Sequence, residues 1–208
     1  MLRLILLAAL GVAWGLPASL AGAQAPASSP AAVSRTNVRF IVPFGPGGLN
    51  GGLAASAPQT ADCAEGSTVL PDRDDAWFCT VSGGVLDPCF ANPWGDPNAV
   101  AELACLASPW ADKAQIVRTA VPLPRRAAAD AGLAGPVLPW AVELGNGKRC
   151  GLLRGATAAL AGQRVNYGCE GGGSVIGDVD RSGSLWVANY LDDGALATTQ
   201  VPVVVAWD

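Results

Sequence analysis

Few residue types in this chain could do chemistry, because its 208 residues include no histidine. Ser-His-Asp and Cys-His catalysis, zinc proteases of the HExxH type and nearly all catalytic zinc or non-haem iron sites depend on histidine. The sequence therefore argues against those enzyme classes and leaves carboxylates as the only plausible general acid–base groups. The four glutamates are Glu65, Glu102, Glu143 and Glu170.

Two of these glutamates could approach each other in a folded sheet. Glu143 lies on a predicted strand, and Glu170 directly follows Cys169. If a hairpin over 140–153 pairs with 164–170, the two carboxyl groups could reach the roughly 5–10 Å separation of a glycosidase. A small secreted hydrolase acting on a wall glycan is therefore one alternative. Charges on the solvent face of a sheet explain the same residues, and we assign no catalytic residue.

An acidic segment gives a second alternative. Between Asp178 and Gly183, oxygen donors occupy positions 1, 3 and 5 and glycine occupies position 6, as at the start of a calcium loop. The twelfth position is Asn189 where a glutamate is needed, and Arg181 adds a positive charge. The segment is either part of a calcium-stabilised adhesive module or an ordinary turn, which Asp, Ser and Gly also favour. We predict no metal site and no cofactor.

The cysteines are better explained as disulfides than as nucleophiles or metal ligands. Their number is even, and no CxxC pair or histidine is present to build a zinc site. Six cysteines allow fifteen pairings. Pairing of sequence neighbours is the default in a meander of short strands, and it predicts the bonds Cys63–Cys79, Cys89–Cys105 and Cys150–Cys169.

Tryptophan is the candidate binding residue. Trp140, Trp186 and Trp207 lie in strand patterns and are predicted to be core residues. Trp94 and Trp110 each follow a proline in a loop-like segment. Loop aromatics stack on sugars or anchor protein partners, although they also cap the open end of a small sheet. We predict an exposed aromatic binding patch that contains Trp94 and Trp110.

The N-terminus has the pattern of a secretory signal peptide over residues 1–23. Arg3 precedes a short apolar run, and Ala21–Ala23 forms a small-residue cleavage site, so the mature chain is expected to start at Gln24. A membrane anchor is the weaker alternative because glycine and proline interrupt the run. The pattern predicts a secreted, periplasmic or cell-envelope protein with no transmembrane anchor after cleavage. The net charge of −4 argues against a nucleic-acid partner.

These residues must be positioned by short strands, because 26 glycines and 16 prolines interrupt the chain. An Ala/Ser/Pro-rich tether is expected over 24–37, followed by one mainly-β domain over 38–208. This domain is predicted to be a disulfide-stapled sheet, barrel-like or sandwich, of short antiparallel strands with little helix. The clearest signal is a hairpin in which 140–144 and 148–153 flank Asn146-Gly147. Other strands are expected at 38–44, 77–81, 116–121, 164–169, 174–176, 185–190 and 200–207.

Cysteines, tryptophans and turn residues also carry a family resemblance. They are Cys63–Ser67, Pro71, Arg73, Ala76–Cys79, Asp87–Phe90, Pro139–Leu144, Gly147, Cys150, Gly155–Thr157, Asn166–Cys169, Asp180–Ser182, Leu185–Trp186 and Ala206–Trp207. In these residues the chain resembles an uncharacterised group of secreted, cysteine-containing actinobacterial-type proteins, a domain of unknown function, over most of 38–208. Phe78 departs from the pattern, where we expect a basic residue. The resemblance implies a secreted domain and supplies no catalytic residue.

The sequence thus predicts an exported, non-enzymatic domain of the cell envelope or the extracellular medium. It is expected to act by binding or as a structural element. Its partner is an envelope or extracellular ligand that the sequence does not identify.

Overall fold

Glycine and proline divide the chain into short strands that turn back on one another. The computed structural model describes residues 33–125 and 137–208, and this part of the chain is all-β, with sixteen strands. In chain order they are β1 (Asn37–Arg39), β2 (Phe44–Gly45), β3 (Gly48–Leu49), β4 (Ala54–Ala55), β5 (Gln59–Gly66), β6 (Ala76–Val81), β7 (Gly84–Ala91), β8 (Glu102–Cys105), β9 (Lys113–Thr119), β10 (Ala141–Leu144), β11 (Arg149–Leu152), β12 (Ala159–Leu160), β13 (Gln163–Cys169), β14 (Ser174–Asp180), β15 (Trp186–Leu191) and β16 (Thr199–Trp207).

The first barrel is formed by β5 to β9. Each strand pairs with the next in antiparallel fashion, and β9 also pairs with β5 in parallel, which closes the sheet. The short β4 lies parallel to the start of β9. Closure removes the exposed edges that would otherwise invite pairing with another chain. Its buried side chains form two clusters on opposite faces of the sheet, one with Leu103 and Val117 and the other with Phe90.

The second barrel uses β10, β11, β13, β14, β15 and β16 in that order, all antiparallel, and the pairing of β15 with β16 closes it. At the far end of β16, β1 adds in parallel. Tyr167 is the largest fully buried side chain, and its hydroxyl donates to the Pro139 carbonyl over 2.9 Å. Burial raises the pKa of Tyr167 far above its ordinary value, so the phenol stays neutral and keeps this hydrogen bond.

The two barrels share one packed cluster. Trp140 lies just before β10 of the second barrel, and its indole is 4% exposed. It packs among side chains of the first barrel, with its ring centroid 6.1 Å from that of Phe90. The Trp140 backbone, in contrast, is hydrogen-bonded within the second barrel. Its N–H donates to the Trp207 carbonyl, and its carbonyl accepts from the Leu152 N–H. Trp140 therefore joins the two hydrophobic cores.

The three predicted disulfides are present. The bonds Cys63–Cys79, Cys89–Cys105 and Cys150–Cys169 have Cα separations of 4.2, 3.9 and 3.9 Å. Each joins neighbouring antiparallel strands, and no cysteine of the described residues is free. Loops of 16 to 19 residues closed this way contribute about 3 kcal/mol each in the chain-entropy account.

The mainly-β, disulfide-stapled fold class is confirmed, and the structure adds that the sheet is divided into two closed barrels. The predicted hairpin is also present: β10 and β11 flank a turn in which Gly147 has φ of 84°. Other strands differ from expectation. Of the predicted strand 38–44 only Val38 and Arg39 pair with β16, and β5 and β7 are not among the predicted strands. Within β7, the Asp87–Pro88 peptide bond is cis, and an internal proline is the usual sign against a strand.

The start of the domain differs by two residues from the predicted tether boundary. Thr36 is buried, its hydroxyl donates to the Val203 carbonyl over 2.7 Å, and it accepts a hydrogen bond from the Trp186 N–H. Asn37 opens β1. Both residues therefore belong to the folded domain. The predicted signal peptide over 1–23, and the tether up to residue 32, lie outside the described residues. Within the described residues, no helix is long and apolar enough to cross a membrane.

Two tryptophans predicted to be core residues are only half-buried. Trp140 is buried as predicted, but Trp186 and Trp207 keep part of their surface in solvent. An arginine covers each of these rings: Arg181 lies 5.0 Å from the centroid of Trp186, and Arg39 lies 5.5 Å from that of Trp207. Guanidinium groups at this distance make cation–π contacts, which explains why the rings need no full burial.

Candidate functional site

The loop between β7 and β8, residues 92–101, presents the most exposed tryptophan ring of the described residues, although Phe40 near β1 is slightly more exposed; it is called the Trp94 loop below. Trp94 is 60% exposed. Its backbone N–H donates to Asn92 Oδ1 over 3.0 Å, and the Asn98 N–H donates to Asp96 Oδ1 over 2.8 Å. Both bonds belong to Asx turns, in which a short polar side chain mimics the backbone. The tryptophan therefore sits on local structure that its own loop residues specify.

The base of the Trp94 loop is fixed by the first barrel. The Asn92 N–H donates to the Glu102 carbonyl over 3.0 Å, which closes the loop where β7 and β8 meet. On the same two strands, Cys89 lies opposite Cys105 and is bonded to it. A covalent link three residues from Asn92 limits how far the strand ends can move apart. The loop is thus held in place before any ligand arrives.

Polar residues flank Trp94 along the loop. In the Asx turns, Asn92 and Asp96 each use one side-chain oxygen. Among the described residues, the Asn92 amide group, the second Asp96 oxygen and the Asn98 side chain have no protein hydrogen-bond partner. A loop that offers an exposed apolar ring together with amide and carboxylate groups has the group types that recognise a sugar, through stacking on the ring and hydrogen bonds to hydroxyls.

The second predicted binding tryptophan has a different setting. Trp110 lies in the loop between β8 and β9, at the opposite end of β8 from the Trp94 loop, and is half-buried. Its indole N–H donates to Glu143 Oε1 of the second barrel over 2.7 Å, and the Arg149 guanidinium lies 5.5 Å from its ring centroid. The structure therefore does not bring Trp94 and Trp110 into one patch, and Trp110 links the two barrels.

The glutamates proposed for hydrolysis form part of a ladder of alternating charge. Glu143 on β10 lies opposite Arg149 on β11, and the Glu170 N–H donates to the Arg149 carbonyl over 2.8 Å. In strand order Arg149 therefore lies between Glu143 and Glu170, and the Trp110 indole N–H occupies one oxygen of the Glu143 carboxylate. Opposite charges across neighbouring strands stabilise a sheet. The structure thus gives the Glu143 side chain a partner and leaves the Glu170 side chain exposed.

The segment from Asp178 to Gly183 consists of the last three residues of β14 and the start of the loop that follows it. Asp178 Oδ1 accepts from the Asn166 amide over 2.9 Å, and Asp180 Oδ1 accepts from the Ser182 N–H over 2.9 Å. The hydrogen bonds from Ser182 lower the pKa of Asp180. Arg181 points away, towards the Val137 carbonyl and the Trp186 ring. Within the described residues, the only three metal-type ligand atoms that lie close together are cysteine sulfurs elsewhere.

A buried polar cluster in the first barrel was not predicted. Asp87 accepts from the Ser67 hydroxyl over 2.5 Å and from both the N–H and the hydroxyl of Thr68. Ser67 Oγ in turn accepts from the N–H groups of Val69 and Leu70. All hydrogen-bonding positions of the Ser67 hydroxyl are therefore used. This serine has no free lone pair to act as a nucleophile, and the cluster serves to hold the turn over residues 67–70.

A shallow depression of about 340 Å³ lies at one end of the first barrel. It is lined by residues 61–64 of β5 and by 119–124, which continue from β9. Its lining is mostly small and apolar and includes Cys63. Neither proposed glutamate nor Trp94 lines it, so the depression and the Trp94 loop are separate features.

Comparisons with known proteins give no relative. No protein-family model matches the chain, and no curated protein and no solved structure matches it. Arguments about function therefore rest on the residues and their geometry.

Proposed function

We propose that this chain is an exported, non-enzymatic binding module whose ligand-contacting surface is the Trp94 loop. The observation that carries the proposal is the placement of Trp94, 60% exposed on a loop closed by two Asx turns and one disulfide. A large ring held in solvent by built local structure is unexplained by folding alone. Holding such a ring rigid reduces the conformational entropy that is lost when a ligand binds.

Export is supported by the cysteine chemistry. Disulfides persist in oxidising compartments and are rare in the cytosol. The described residues hold three disulfides and no free thiol, which indicates an extracellular or otherwise oxidising compartment. The signal-peptide pattern of residues 1–23 and the resemblance to an exported group agree with this location.

A non-enzymatic role is supported by the state of the polar groups. Glu143 is bonded to Trp110, Asp87 is saturated by hydroxyl and N–H donors, and the Ser67 hydroxyl has no free lone pair. Each group with possible chemistry in these clusters therefore already has a structural partner. The Trp94 side chain, by contrast, faces solvent.

The test is a glycan-array screen with the chain from Gln24 onward, followed by capture on the glycans that bind. We expect Trp94→Ala to reduce capture at least tenfold, because the stacking ring is lost, while the far-UV circular dichroism spectrum is unchanged. The matched control is Leu196→Ala. Leu196 is a fully exposed apolar side chain on the turn between β15 and β16 of the second barrel, and its loss should leave capture unchanged. Equal capture by both variants would refute the proposal.

A further inference from the structure

The two disulfides of the first barrel lie against each other. The Sγ atoms of Cys79, Cys89 and Cys105 are all within 4.8 Å of one another, and all three residues are buried. Cys79 belongs to one disulfide, with Cys63, and the other two sulfurs form the second. These three atoms are called the sulfur cluster below. Because each of its sulfurs is already bonded in a disulfide, the cluster is not a metal site in the oxidised protein.

We propose that the sulfur cluster is a thiol–disulfide exchange site that takes a dithiol reductant as its external reactant. The strand geometry explains the close approach. Cys89 on β7 pairs with Trp77 on β6, two residues before Cys79, so Cys79 and Cys89 are diagonal neighbours on adjacent strands. Diagonal neighbours on one face lie within reach of each other's side chains.

In the proposed site the external thiol attacks Cys63, the disulfide partner of Cys79, which is itself only 3% exposed. Cys63 lines the depression formed by residues 61–64 and 119–124. An external thiolate that attacks the Cys63 sulfur there breaks the Cys63–Cys79 bond and forms a mixed disulfide on Cys63, and the electron pair leaves on Cys79. The second thiol of the reductant then displaces Cys63, so the reductant ends as its own disulfide and both cysteines are reduced.

The internal step follows without a further reductant. The Cys79 thiolate attacks one sulfur of the Cys89–Cys105 bond. A new bond to Cys79 forms, the old bond breaks, and the electron pair leaves on the departing sulfur, which takes up a proton. The number of disulfides is unchanged in this step, and the free thiol moves from Cys79 to Cys89 or Cys105. Exchange of this kind proceeds through the thiolate.

The second barrel supplies the matched control. The disulfide Cys150–Cys169 is not part of the sulfur cluster. Cys79 and Cys150 have the same burial, each 0% exposed. Cys63→Ser therefore leaves a buried thiol beside a second disulfide, whereas Cys169→Ser leaves an equally buried thiol without one.

The experiment follows the free thiol in both variants of the chain from Gln24 onward. Each variant is incubated, quenched with acid, alkylated and mapped by mass spectrometry. In Cys63→Ser we expect the alkylated thiol at Cys79 and also at Cys89 or Cys105, with new disulfides that contain Cys79. The exchange rate should rise about tenfold per pH unit below the thiol pKa, because the thiolate is the attacking species and its fraction rises by the same factor. In Cys169→Ser the thiol should stay at Cys150.

Two results would overturn the proposal. One is a Cys63→Ser protein whose thiol stays at Cys79 beside an intact Cys89–Cys105 bond. The other is equal scrambling in the Cys169→Ser control, which would mean that the exchange reflects unfolding. If Cys63→Ser does not fold, wild-type protein treated with limiting dithiothreitol decides the question. Singly reduced molecules with native near-UV circular dichroism should contain disulfides of Cys79 with Cys89 or Cys105, and their absence would refute the proposal. Neither outcome bears on the Trp94 loop.

Discussion

Replacing Trp140 by alanine should destabilise the protein more than any change of an exposed tryptophan. The Trp140 indole is 4% exposed and packs in the core cluster of the first barrel against Phe90, although its backbone pairs within the second barrel. Truncating a buried tryptophan or phenylalanine to alanine costs about 3–5 kcal/mol, since both transfer energy and packing are lost. For a domain of this size, that corresponds to a fall in Tm of about 6–20 °C.

The assay is urea unfolding followed by far-UV circular dichroism with the disulfides intact. Loss of packing should lower the transition midpoint with little change in the m-value. Trp94→Ala is the control because its ring is exposed, and it should change the free energy of unfolding by no more than about 0.5 kcal/mol. A loss below about 1 kcal/mol for Trp140→Ala would refute the shared core between the barrels.

Two further predictions concern polar groups. Ser67→Ala should lower the free energy of unfolding by about 1–3 kcal/mol in the same assay, because Asp87 and two backbone N–H groups lose a buried partner. The control is Ser82→Ala, which changes an exposed serine. Equal stability of the two variants would contradict the structural role of the buried polar cluster. The pKa of Asp208 is raised by burial, with Arg181 opposing and Asp72 adding to the shift. The fold therefore favours the protonated acid, and this part of the stability is lost as the pH rises from the unfolded-state pKa through the folded-state pKa. Asp208→Asn should accordingly raise Tm above that of the wild type at neutral pH, and the increase in Tm should be smaller below pH about 4. An increase in Tm that is independent of pH would contradict this assignment.

Features encoded by nearby residues could be predicted from the sequence. The Asn146-Gly147 turn specifies its own hairpin, and that hairpin leads directly to the pairing of Cys150 with Cys169 on neighbouring strands. In a meander, each strand pairs with the next one along the chain, so pairing of sequence neighbours gave the other two disulfides as well. Trp94 was placed correctly in a loop because proline, glycine and Asx residues surround it.

Features that depend on distant residues could not be predicted. The bond from Trp110 to Glu143 joins residues 33 positions apart in two different barrels, and no local pattern marks either residue as a partner. The parallel closure of β5 against β9 likewise depends on the whole first barrel. Strand β7 could not be predicted because it contains Pro88, and proline has no backbone N–H to donate to a neighbouring strand. The Ser67–Asp87 contact was missed since both residue types also favour turns.

The central claim, that ligand binds at the Trp94 loop, is tested most directly by the indole N–H signals of the chain from Gln24 onward in ¹⁵N NMR. This chain retains six of the seven tryptophans, and a Trp94→Phe variant identifies the Trp94 signal. On addition of a glycan that the array selects, we predict that the Trp94 signal shifts or broadens with saturation, while the Trp110 signal, whose N–H is bonded to Glu143, stays in place. An unchanged Trp94 signal at saturating glycan, with shifts at other indoles, would contradict the account.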